Sequence, residues 1–162
     1  MQSPLPPVTH SLKALSKILT KAEASCTPRR IAPATLLGDR LYPDMLPLVR
    51  QVQIACDHAK AIAARMTGIE NPRFEDDETD FPSLQARIAK TVAFLESIPP
   101  EAFATADDRE IAFKAGPREM QMSGASYLGF YAIPNFYFHM ATAYNILRHD
   151  GVELGKVDFL GG

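Results

Sequence analysis

The stretch that decides the fold is YLGFYAIPNFYFHMATAYNIL, residues 127–147. It is apolar or aromatic at nearly every position, which marks a helix buried by neighbours all round. Pro134 has no N–H to return to the preceding turn, so it is expected to kink this segment or divide it into a short helix and a longer one. Asn135 and His139 stand one turn apart on a single face, which Thr142 and Ile146 extend. A polar stripe on so apolar a helix must either meet water or be satisfied inside. Since Phe136, Tyr137, Phe138 and Met140 surround it, Asn135 and His139 are expected to look into an interior cavity.

A helix buried on all sides needs partners, and three earlier segments carry apolar residues at steps of three or four. The first holds Val8, Leu12, Leu15, Leu19, Ala22 and Cys26, with Pro6-Pro7 before it and Pro28 after it. The second holds Met45, Leu48, Val52, Ala55, Ala59, Ile62 and Met66, and stops at Gly68, where a left-handed residue is expected. Pro43 and Pro47 limit regular helix before about position 46. The third begins near Asp80, a capping residue, and Pro82, tolerated in a first turn. Leu84, Ile88, Thr91, Leu95 and Ile98 form its stripe, and Pro99-Pro100 end it.

The predicted fold is all-α, a four-helix bundle forming one domain over residues 1–162. Long connections permit crossover winding as readily as simple alternation. Between the third and fourth helices, Ile111 and Phe113, then Met120 and Met122, alternate around Lys114-Ala115-Gly116-Pro117-Arg118. This predicts a small β-hairpin or extended lid. Ser123-Gly124-Ala125-Ser126 has no GxSxG context and reads as a helix N-cap. The acidic run Glu75-Asp76-Asp77-Glu78 reads as a solvated loop rather than a hard-cation site.

Composition narrows the function classes. The 162 residues are 46% hydrophobic and 22% charged, as in a folded globular protein. Seventeen basic residues against 19 acidic ones give a net charge of −2, and only Arg29-Arg30 are adjacent among the arginines. No phosphate-tracking stripe exists, which argues against a nucleic-acid partner. No window approaches a membrane span, and the N-terminal residues lack a secretory pattern, so a cytoplasmic protein without membrane contact is expected. Cys26 and Cys56 are too far apart for a CxxC pair and are expected to be buried structural thiols.

His58 lies on the second helix, with Ile54 and Ile62 one turn to either side. An imidazole there either ligates a divalent ion such as zinc or nickel, or is a hydrogen-bonded core histidine. Two histidines and one asparagine fall short of the three strong ligands of a catalytic zinc. Tyr131, Tyr144 and Thr142 are the remaining candidate pocket residues, and Tyr137 is a core or interface residue. His149 sits where it favours the negative end of the helix dipole, and His10 is expected to be exposed.

The runs Ile133-Pro134-Asn135-Phe136-Tyr137-Phe138-His139, Thr142-Ala143-Tyr144 and Leu147-Arg148-His149-Asp150-Gly151-Val152 resemble a known family. So do Leu154-Gly155-Lys156 and Asp158-Phe159-Leu160-Gly161. The family is an uncharacterised bacterial and fungal one, domain of unknown function nineteen-ninety-three, similar in turn to the DinB/YfiT-like superfamily. The resemblance runs along almost the whole chain. It implies an up-down-down-up bundle, often dimeric, in which three histidines bind a divalent metal. Some members transfer low-molecular-weight thiols or hydrolyse small substrates.

In that superfamily one histidine comes from the second helix and an H-x-x-x-H pair from the fourth. His139 falls on the second member of that pair, Asn135 on the first, and His58 matches the second-helix histidine. The Arg-Gly-Gln that commonly follows is here Met140-Ala141-Thr142. The resemblance therefore implies a degenerate His58/Asn135/His139 site. One reading is a non-catalytic or small-ligand-binding bundle, whose Phe130, Tyr131 and Phe136 line a homodimer face. The alternative is a metal-dependent thiol transferase or hydrolase.

Overall fold

Four long helices carry the chain in the computed structural model, which describes residues 2–162. They are α1 (Leu5–Arg29), α3 (Leu48–Thr67), α4 (Phe81–Glu96) and α6 (Ile133–His149). Short helices α2 (Pro33–Gly38), α5 (Gly124–Ser126) and α7 (Lys156–Phe159) and a 3-10 turn at Pro100–Phe103 fill the connections. Strands β1 (Glu110–Ala115) and β2 (Arg118–Ser123) form the expected antiparallel hairpin, with Gly116 at φ 60° in its turn. Ile111 and Phe113 turn its inner face into the core.

The helix ends follow from local chemistry. Pro6 and Pro7 lie inside the first turn of α1, not before it, because first-turn N–H groups have no helical acceptor to lose. Pro28 likewise falls within the last turn, and the chain leaves through Arg30 at φ 55°. Gly68 ends α3 at φ 79°, as expected, and its N–H reaches the Ala64 carbonyl at 2.8 Å. The Arg109 guanidinium occupies the space a side chain at position 68 would need, only 2.6 Å from the site of a Cβ. The Asp80 carboxylate accepts the Ser83 N–H at 2.8 Å while the Ser83 hydroxyl accepts the Asp80 N–H at 3.2 Å, closing a capping box on α4.

Helix α1 packs on α4 and α6, and α3 packs on α4, α6 and α1. Lys13 meets Glu96, and Ser16 meets Gln85, so α1 and α4 run antiparallel. A continuous core of Leu12, Leu15, Ile18, Ile62, Phe81, Phe136 and their neighbours fills the space between them. Cys26 and Cys56 are both free and buried, as expected, and burial raises the Cys56 thiol to about 11. No described helix is long and apolar enough to cross a membrane.

The last long segment departs from its reading in two ways. The helix is not buried all round: Phe130 is 85% exposed and Phe138 56%, and Pro134, Asn145 and Arg148 share that outer face. Aromatic content does not by itself place a residue inside, since much of any protein surface is apolar. Phe136, by contrast, is fully buried in the core and cannot line a dimer face. The break also lies upstream of Pro134. Residues Tyr127–Ala132 form a π-helical stretch, and Pro134 sits in the first turn of α6, where its missing N–H is tolerated.

The acidic loop is not simply solvated. Arg87 of α4 is buried, and its guanidinium meets Asp57 at 2.8 Å, Asp76 at 3.0 Å and Glu78 at 3.0 Å. Arg50 takes the other oxygen of Asp76 at 2.6 Å, and with Arg87 it holds that carboxyl below the usual range. Gln53 donates to Glu78 at 2.7 Å. Buried Lys60 donates to the Pro72 carbonyl and pairs with Asp57, while the Phe74 ring lies 3.8 Å below its ammonium. Replacing Arg87 with Met leaves buried Glu78 without its counter-charge. The expected loss is about 3–5 kcal/mol of unfolding free energy in urea titrations, and a loss under 1 kcal/mol would show that the network is dispensable.

Candidate functional site

Three polar residues of α3 and four of the segment ending in α6 form a seam between the two helices. Gln51, His58 and Arg65 are seven residues apart, two helical turns, so they share one face of α3. Tyr127, Tyr131, Asn135 and His139 follow one another at steps of four. The seam joins Arg65 to the Tyr127 hydroxyl at 3.1 Å and Gln51 to His139 at 2.7 Å. His58 lies between, with ring centroids 6.1 Å from Tyr131 and 5.7 Å from His139. Ascending numbers on one helix meet descending numbers on the other, so α3 and α6 are antiparallel.

The hydrogen bonds fix the protonation pattern of His139. The Gln51 amide nitrogen donates to the Leu46 carbonyl at 2.9 Å, which turns the Gln51 oxygen toward the imidazole. That oxygen only accepts, so His139 Nδ1 carries the hydrogen and Nε2 keeps its lone pair. Burial lowers the His139 pKa. For His58 burial is again the main cause, followed by repulsion from His139 and Arg65, and its pKa falls to about 4. Both rings are therefore neutral at pH 7.

The structure brings the His58, His139 and Tyr131 rings together. It does not do so for all the candidates. The Asn135 amide nitrogen folds back to the Tyr131 carbonyl at 2.6 Å, serving the backbone beside the π-helical stretch. Thr142 is buried, and its hydroxyl returns to the Phe138 carbonyl at 2.7 Å. Tyr144 stacks edge-on against Phe159 of α7. His149 is exposed in the last turn of α6, and exposed His10 bonds the Leu160 carbonyl.

The expected interior cavity is instead an open cleft of about 360 Å³ lined by Asp57, His58, Ala61, Arg65, Asn71, Lys114 and Tyr131. His139 stands next to His58 but does not line it. Gln51, Arg65, Lys114 and Tyr127 belong to this region without carrying a motif that marks them in the sequence. The seven-residue repeat of polar side chains along α3 is the signal that finds the first two.

Zinc held about 2.0–2.1 Å from one nitrogen of each imidazole keeps two ring centroids roughly 5–6 Å apart, and the His58–His139 spacing of 5.7 Å meets that. The donor set does not. Among the described residues no group of three His, Cys, Asp or Glu side chains converges on a common point. Asn135 would add only an amide oxygen, so the residues do not fit a three-ligand catalytic metal.

The helical fold with its two-stranded hairpin is that of a DinB-like protein. It is similar to the crystal structure, at 1.83 Å resolution, of a DinB family member protein from Shewanella denitrificans. The two are 42% identical with a TM-score of 0.90, over 96% of this chain and 88% of that one. The chain belongs to the family described as "Domain of unknown function (DUF1993)", whose model matches residues 2–160. No curated protein matches it.

The neutral histidines tie stability to pH. Between about pH 6.5 and 4 the unfolded chain binds a proton at His58 that the folded chain refuses. Stability is thus complete above pH 6.5 and falls as pH drops toward 4, by on the order of 2 kcal/mol after allowance for solvent screening. Urea titrations across this window should show that slope, and a shallower one for His58→Gln. An identical slope in the variant would show that His58 titrates as it does in water.

Proposed function

We propose that this DinB-like chain is a non-catalytic binder of small molecules, using the cleft beside the neutral His58–His139 pair. The observation that carries this reading is the Gln51–His139 bond, which immobilises one ring against the other beside an open cleft. His58 offers the cleft an uncharged hydrogen-bonding group, and His139 packs behind it. In the up-down-down-up winding we assign to the bundle, α1 opposes α4 and α3 opposes α6. The antiparallel pairings described above support that order.

A metal-dependent thiol transferase or hydrolase at His58 and His139 is the second reading, favoured by the ring spacing and by the free Nε2 of His139. Plasma mass spectrometry on protein purified without a histidine tag, then dialysed against zinc or nickel, separates the two. The small-molecule reading expects well under one ion per chain, with no further change in His139→Ala. One full equivalent that His58→Ala or His139→Ala removes would establish the metalloprotein instead.

The exposed Phe130 of the π-helical stretch and Phe138 of α6 support a homodimer through that outer face. Light scattering should give twice the chain mass, reduced to one chain by Phe130→Ser with Phe138→Ser. A strict monomer for the unmodified protein would remove the dimer.

A further inference from the structure

We infer that the cleft beside His58 is a site for a small carboxylate, gripped by Arg65 with Lys114 as the second cation. This rests on the small-molecule reading of the same cleft and names the chemical class of its occupant.

Arg65 is held where a docking cation should be. Its guanidinium carbon lies 4.6 Å above the Phe113 ring and 5.5 Å from that of Tyr127. One Nη is spent on the Tyr127 hydroxyl at 3.1 Å. Among the described residues no carboxylate pairs with it, whereas Arg50 and Arg87 each have one or more. An arginine stacked on two rings has lost most of its freedom before any ligand arrives, so little ordering cost remains for binding. Its planar fork matches two carboxylate oxygens.

The charge balance of the cleft points the same way. Lys114, on β1, has no ion pair among the described residues and reaches the cleft from the hairpin side. Asp57 is the one carboxylate in the lining, and its Oδ1 is already shared between Arg87 at 2.8 Å and Lys60 at 3.0 Å. His58 brings no charge of its own. The lining therefore presents two uncompensated cations, and an anion is the ligand they recognise. The Tyr131 ring and the Ala61 methyl supply an apolar wall, which suits a carboxylate carried on a short apolar or aromatic body.

The test is isothermal calorimetry with benzoate and with its neutral isostere benzamide. Benzoate should bind saturably and benzamide should not. Arg65→Gln should weaken benzoate about tenfold or more, the scale of a lost charged hydrogen-bonded pair. Lys114→Gln, on the exposed hairpin, should weaken it by about threefold. Because Arg65 also packs on aromatic rings, Arg65→Lys serves as the control: it keeps the charge, loses the fork, and should fall between wild type and Arg65→Gln, with circular dichroism confirming the fold. Equal binding of benzoate and benzamide, or affinity indifferent to both Arg65→Gln and Lys114→Gln, overturns the carboxylate site and leaves the small-molecule cleft standing. No binding of either probe at millimolar concentration overturns both.

Discussion

A guanidinium withdrawn from water must gather carboxylates around it, and the placement of Arg87 on α4 imposes that requirement on everything nearby. It draws Asp57 from α3 and Asp76 and Glu78 from the loop, so a loop that would otherwise hang in solvent is wound across the α3–α4 joint. Lys60 and Phe74 complete the wrapping. The same requirement has an effect on the opposite side of α3. Asp57 faces both the network and the cleft, and once it answers to Arg87 and Lys60 it no longer neutralises Arg65. A stabilising cluster thereby sets the electrostatic character of a neighbouring surface.

The α3–α6 joint obeys a related rule. Buried polar side chains between apolar helices need partners, and here Gln51 pairs with His139 at one end of the joint and Arg65 with Tyr127 at the other. The π-helical stretch before Pro134 contributes to this arrangement. An extra residue in the turn changes the angular relation between Tyr127–Tyr131 and the face of His139 beyond it. Asn135, which could have been a ligand by its position, instead bonds the Tyr131 carbonyl at that junction.

Much of the fold was legible because its signals are local. Gly68, the Asp80 cap and the alternation around Lys114–Arg118 each specify backbone geometry within a few residues. The limits of the fourth segment were less legible because hydrophobicity is informative in one direction only. Phe136 and Phe138 read alike in sequence, yet one is in the core and the other faces out. His58 and His139 could be nominated together because their helix positions are visible in the apolar stripes. Arg87, Arg65 and Gln51 could not be sorted by the same means. A charged or amide side chain beside a stripe usually belongs to solvent, and only tertiary pairing shows which ones have turned inward. Tyr144 and Thr142 share a helix with His139, but the docking of α7 and the pull of the Phe138 carbonyl give them other employment.

Cys56, shut inside the core with its thiol near 11, gives the chain a built-in clock for whole-molecule opening. An alkylating reagent consumes thiolate, and this sulfur supplies almost none until the helices part. Its rate of modification therefore counts excursions to the open chain rather than surface chemistry. Any compound that settles in the cleft and favours the folded state slows the clock, whatever its own colour, heat or fluorescence.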